Sequence, residues 1–159
     1  MRKCLAFCSV LLLSADHCLM SQPAYTFIAY QQTGKTIAEL DSLYPPALAT
    51  DSHYVFRGRE EEFGNAWRSM LQAFGTYLKR NGFAWSEPLW CFQRVYFDLN
   101  GRVEVFLYNF KEGALSKKQA TRFHKLVNAF LRDYKLVILQ PASSAFSQCG
   151  PVTYMPSDD

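Results

Sequence analysis

Residues 89–110 read LWCFQRVYF, then DLNG, then RVEVFLYNF. Two runs rich in aromatic and β-branched residues flank a glycine-containing turn, the pattern of a β-hairpin. A two-residue turn at Asn100-Gly101 would mix polar and apolar side chains on both faces. A three-residue loop with Gly101 as the left-handed bulge residue instead pairs Phe97 with Val103 and Val95 with Val105. Cys91, Val95, Phe97, Val103, Val105 and Leu107 then share one face. Phe92, Arg94, Tyr96, Glu104, Phe106 and Tyr108 share the other. Because a slip of one residue moves every side chain across the sheet, the clean apolar face selects the second register.

Before the hairpin, the spacing predicts a helix over residues 60–80. Phe63, Trp67, Met70, Leu71, Phe74, Tyr77 and Leu78 fall on one helical face. Glu60, Glu61 and Glu62 in the first turn and Lys79 and Arg80 in the last oppose the helix dipole. Asn81-Gly82 supplies a stop. After the hairpin, a second helix is predicted over 116–134, opened by a Ser116/Gln119 capping box and striped with Ala120, Phe123, Leu126, Val127, Phe130, Leu131 and Tyr134. Residues 145–155 read as a last strand, which Pro151 confines to an edge. The order helix, hairpin, helix, strand predicts an α+β fold: a three-stranded antiparallel sheet with two helices packed on one face. The last strand is expected beside the first hairpin strand and antiparallel to it.

Residues 22–57 are the least regular part of the domain. Thr36 to Tyr44 fits a short helix that Pro45 and Pro46 stop, and His53 to Phe56 fits a short strand or an extended lead-in. The domain proper is expected over 58–155, with a frayed tail at 156–159. Further upstream, residues 1–21 carry Arg2 and Lys3, then an apolar stretch from Cys4 to Ala15 that is too short to span a bilayer. This is the pattern of a cleaved signal peptide and predicts a periplasmic or secreted protein with no transmembrane segment in the mature chain. Cleavage after Ser21 leaves Cys91 and Cys149 as the remaining cysteines. In an exported protein two cysteines most simply form one disulfide, here closing a loop of roughly 60 residues worth about 3–4 kcal/mol in the chain-entropy model; two separate buried thiols are the alternative.

The composition bounds the function. Of 159 residues, 49% are hydrophobic, 19% charged and 16% aromatic, which is a single globular domain rather than a disordered chain. A net charge of +3 is too small for an electrostatic nucleic-acid footprint.

Three places resemble the C-terminal domain of TonB-type energy-transducing proteins, over about residues 56–155. Phe56-Arg57-Gly58 leading into the Glu-rich helix is similar to that family's entry helix. Asp98-Leu99-Asn100-Gly101-Arg102-Val103 is similar to its hairpin turn, and Gly150-Pro151-Val152-Thr153-Tyr154 to its final strand. The family's membrane anchor and Pro-rich spacer are not visible, and its Trp-Lys-Pro is replaced by Tyr134-Lys135-Leu136. What the resemblance implies is the fold and the binding of another chain at a sheet edge.

The chemistry-bearing patterns are sparse. Ala29 to Thr36 fits a loose phosphate-loop form, but Gly34 is its only glycine, and a phosphate cradle needs several residues with unusual backbone angles. His17, His53 and His124 have no paired spacing, and Cys91 and Cys149 have no nearby cysteine partners, so neither a metal nor another cofactor is expected. The feature that stands out is the outer hairpin face, where Phe92, Tyr96, Phe106 and Tyr108 surround Arg94 and Glu104. Aromatics with an arginine are typical of protein-binding surfaces. The competing reading is that residues 22–57 fold across this face. The sequence therefore predicts an exported, non-catalytic module that binds another protein, and not nucleic acid, through the aromatic hairpin face or the last strand. The alternative is a small secreted enzyme or enzyme inhibitor with a site between residues 22–57 and the sheet, built around His53, Glu60 or Cys149.

Overall fold

A computed structural model describes residues 23–50 and 53–156. The expected signal peptide at 1–21 and residues 157–159 of the expected tail lie outside the described residues. The elements in chain order are β1 (Ala24–Thr26), α1 (Phe27–Gln31), α2 (Ile37–Leu43), α3 (Glu60–Arg80), β2 (Leu89–Phe97), β3 (Val103–Phe110), α4 (Lys117–Asp133) and β4 (Phe146–Tyr154).

The two long helices form where the apolar stripes fall. α3 buries Phe63, Ala66, Met70, Phe74 and Leu78, three or four residues apart. α4 buries Phe123, Val127, Phe130 and Leu131, and its Ser116/Gln119 capping box is fully formed. Both helices pack on one face of the sheet through an aromatic core. Phe74 of α3 contacts Phe106, Phe123, Phe130 and Tyr154. Phe146 lies against Phe56, Phe63 and Phe97. Each such ring, fully buried, contributes on the order of 2–3 kcal/mol before the entropy of ordering it is subtracted.

The hairpin turn is built on Asp98. Its carboxylate accepts from the N–H groups of Asn100 (2.8 Å) and Arg102 (2.9 Å). Gly101 follows at φ +83°, in the left-handed region. A Cβ at Gly101 would lie 2.8 Å from the Leu136 carbonyl oxygen, so glycine is required there by space as well as by φ.

The sheet corrects the expected architecture. The fold is α+β, but the sheet has four strands in the order β1-β3-β2-β4 and is mixed. β4 lies antiparallel to β2 and β2 antiparallel to β3, while β1 runs parallel to β3, pairing Ala24 with Phe106 and Thr26 with Tyr108. Two short helices, α1 and α2, accompany the two long ones, α2 in the place of the short helix expected over Thr36–Tyr44, and the three-stranded antiparallel, two-helix architecture is overturned. Residues 53–56 form no strand; the backbone there is a turn lead-in tied to Pro46 and Ala47.

The hairpin register is corrected too. Phe97 does pair with Val103, but the register shifts at the next step, so Val95 faces Phe106 instead of Val105. The extra residue is a β-bulge, which reverses the facing of everything beyond it. Phe106 and Tyr108 therefore point into the core between the sheet and the long helices. Val105 and Leu107 lie on the other face, beside Phe92, Arg94 and Tyr96. Alternation could not reveal this, because Leu107 and Phe106 are both buried, on opposite sides of the sheet.

Candidate functional site

The outer sheet face is covered in part by the chain's own N-terminal segment. Tyr30 and Leu40 pack with Tyr96 and Leu107 into a second, smaller apolar cluster. The sequence-singled residues on this side are each engaged from above. Phe92 meets the Phe27 ring at 6.0 Å, and the Tyr44 ring stands edge-on to Tyr96 at 5.3 Å. Arg94 pairs with Asp41 at 2.8 Å, and the Tyr96 hydroxyl donates to the same carboxylate at 3.0 Å. Glu104 accepts from the Tyr44 hydroxyl at 2.7 Å. Burial, with the Glu104 hydrogen bond second, pushes the Tyr44 phenol above its ordinary range. The structure thus brings Phe92, Arg94, Tyr96 and Glu104 together. Phe106 and Tyr108 are separated from them by the thickness of the sheet.

Cys91 and Cys149 do not meet. Cys91 pairs with Val152 and Cys149 with Arg94, so the cysteines are three positions out of register and on opposite faces. Both are free thiols, which corrects the disulfide expectation. Burial pushes the Cys91 thiol up to about 12, far from nucleophilic use.

Among the described residues, the part of the outer face that the N-terminal segment leaves open leads to the sheet's edge. Trp90, 45% exposed, stands on this side with Pro151 and Thr153, and Met155, 61% exposed, follows the end of β4. β4 has β2 on one flank. On the other, it is met at Ser147, whose N–H donates to Pro45 (2.9 Å) and whose carbonyl accepts from Ala47 (2.7 Å). Backbone groups alternate in direction along an antiparallel strand. The outward set set by Ser147 therefore continues through Cys149, Pro151 and Thr153. Cys149 and Thr153 each present an N–H and a carbonyl to the open edge; Pro151 presents a carbonyl only. Among the described residues the Cys149 carbonyl is met by the Gln148 side-chain amide at 3.2 Å.

A groove of about 550 Å³ runs beside this edge, between α3 and β4. Leu71, Trp85, Val152 and Met155 supply apolar wall, and Arg68 and Lys79 supply positive charge. Trp85 is held by donating from Nε1 to the Tyr154 carbonyl at 3.0 Å. Pro151 inside an apolar strand was the one sequence signal for this edge. Trp85, Trp90 and the α3 side of the groove carried none, since their placement depends on how β4 docks.

The other sequence-level candidates sit elsewhere. Thr36, in the loose phosphate-loop pattern, caps α2: its hydroxyl donates to the Glu39 carboxylate (2.9 Å) and accepts from the Glu39 N–H (3.2 Å). Glu60 accepts from the Tyr54 hydroxyl (2.6 Å) and the Gly58 N–H (2.9 Å), and these bonds hold its carboxyl below the usual range. His53 is exposed, and neither it, Glu60 nor Cys149 lines the α3–β4 groove. Among the described residues no group of three His, Cys, Asp or Glu side chains gathers as a metal site, and no helix is long and apolar enough to cross a membrane. No protein-family model, curated protein or solved structure matches this chain.

Proposed function

We propose that this protein is an interaction module that takes an extended, acidic segment of another protein along the open edge of β4. The observation that carries this reading is the coincidence of the groove against α3 with the β4 edge at Cys149–Thr153, which no further strand pairs among the described residues. Strand addition draws affinity from main-chain hydrogen bonds and specificity from pockets for alternate side chains. Here the edge supplies the first and the Leu71–Trp85–Met155 wall the second. Arg68 and Lys79 favour carboxylates on the incoming segment. Pro151 withholds one donor, which weakens indiscriminate edge-to-edge pairing while leaving the flanking positions available.

Two features of the sequence support the same reading: the TonB-like resemblance, through its implied edge binding, and the signal pattern at 1–21, which would place the module outside the cytosol. The covered aromatic face is an intramolecular dock, so the binding role moves from that face to the last strand.

The test begins with peptides selected from a random library on the full-length protein. A selected peptide should be acidic and should slow amide exchange at Cys149 and Thr153. Thr153→Pro removes an outward N–H that no bond among the described residues uses, so the fold should survive, as checked by circular dichroism. Binding should weaken by about 1 kcal/mol or more per hydrogen bond lost, roughly fivefold. Selected peptides that bind equally well to Thr153→Pro, or that leave these amides unprotected, would overturn the reading.

A further inference from the structure

At the opposite edge of the sheet, a cavity of about 590 Å³ lies between the start of β3 and α4, under Pro23. Its wall on the α4 side is one helical face, with Thr121, His124, Lys125, Asn128 and Arg132 at spacings of three and four. Arg102 enters from just before β3. Arg102, Lys125 and Arg132 place three positive charges around the cavity, against the single carboxylate of Glu104. That carboxylate is already accepting from Tyr44. Among the described residues none of the three cations has an acid within 4.0 Å; the ion pairs there are Arg59–Glu62 and Arg94–Asp41.

The floor of the cavity is fixed by a hydrogen-bonded chain. The Tyr108 hydroxyl pairs with His124 Nδ1 at 3.1 Å. Asn128 donates to the His124 carbonyl at 2.9 Å and accepts from the Ala24 N–H at 3.0 Å. Asn128 is buried, so its amide is held in place rather than solvated. Pro23, Val103 and Leu131 supply apolar wall. A volume of this size, a pre-formed polar floor and an excess of positive charge are the properties of a small-molecule site.

We infer that this cavity binds a small organic dianion, a phosphomonoester on an apolar body. A net excess of two positive charges matches the roughly −2 charge of a phosphomonoester better than a monocarboxylate. Arg102 and Arg132 offer planar, two-pronged donors and Lys125 a point charge, the usual combination for phosphate oxygens. The apolar wall accounts for the body the phosphate is carried on. The site shares no residue with the β4 groove and stands whether or not that groove binds a protein segment.

The probe is phenyl phosphate, titrated into the full-length protein by calorimetry and by amide NMR, with inorganic phosphate and benzoate in parallel. Phenyl phosphate should saturate, with shifts centred on Arg102, Thr121 and Lys125. Inorganic phosphate should bind more weakly for want of the apolar contact, and benzoate more weakly for want of charge. The double variant Lys125→Gln/Arg132→Gln should weaken binding at least about tenfold. These side chains are exposed, so the fold should hold. Lys79→Gln, at the other edge of the sheet, should leave binding unchanged. Absence of saturation at about millimolar concentrations would overturn the inference. So would benzoate binding as tightly as phenyl phosphate, or an equal loss in Lys79→Gln and in the double variant, which would mark general attraction to a basic surface.

Discussion

Cys91 and Cys149 sit on neighbouring strands and yet have different chemistry. Cys91 points into the aromatic core, where burial keeps its thiol protonated; Cys149 lies on the outer face beside the open edge. The thiolate is the reactive form. Brief treatment of the folded protein with iodoacetamide should therefore modify Cys149 and spare Cys91 until denaturant is added. Peptide mapping reads the two sites separately. Comparable labelling of both in the native state, or a cross-linked Cys91–Cys149 peptide after incubation under air, would contradict the placement. The disulfide expectation failed for a reason that counting cysteines cannot detect. Two cysteines in adjacent strands meet only if they occupy facing positions on one side of the sheet, and the β2–β4 register puts Arg94 opposite Cys149. The same register places Gln93 among aromatic rings, with its amide bonded to the Tyr154 hydroxyl. A fully buried glutamine within the strand is likewise invisible to a hydrophobic pattern.

The long elements were legible because their signals are redundant. α3 carries a stripe, acidic and basic ends and a stop; α4 carries a stripe and a capping box. The hairpin strands and their turn were legible from composition and from Asp98–Gly101. The bulge after Val103 was not, since residues with apolar side chains lie on both sides of the sheet. Nor was β1, whose three residues are too few for an alternating pattern to be read. What places β1 is distant in sequence: Asn128, 104 positions along the chain, accepts from the Ala24 N–H. The Pro23 carbonyl adds a second tie by accepting from the Phe106 N–H at 2.7 Å. Asn128→Ala leaves a buried N–H without its partner, a loss of about 1–3 kcal/mol. Urea unfolding should show that loss, and hydrogen exchange should quicken at Ala24–Thr26 first. A variant as stable as the parent, with β1 amides unchanged, would mean that Asn128 does not anchor this strand.

The molecule is a sheet between two unequal layers. The helices α3 and α4 press a large aromatic core onto one face, while α1 and α2 cover part of the other through a small cluster around Tyr30, Leu40, Tyr96 and Leu107. The small layer leans on polar ties: Asp41 to Arg94 and Tyr96, Tyr44 to Glu104, and the Ser147 hydroxyl donating to the Tyr44 carbonyl at 2.9 Å. Partly exposed ties of this kind contribute little individually, about 0–1 kcal/mol for an ion pair. Regions with few buried apolar contacts open at a lower free energy than the global core. The outer layer should therefore detach as a unit before the rest unfolds. Native-state hydrogen exchange in low denaturant should show the Leu40 and Tyr44 amides exchanging through a common opening, of lower free energy and smaller denaturant dependence than Phe74 or Val95. Asp41→Ala, which releases both Arg94 and Tyr96, should lower the outer opening further while leaving the core opening in place. Exchange of all these amides at one global free energy would show instead that both layers form a single cooperative unit. If the layer does detach alone, Phe92, Arg94 and Tyr96 become a continuous surface with Trp90 and the edge of β4. The sequence-singled face and the open edge would then be two parts of one surface, the first of them occupied by the chain itself.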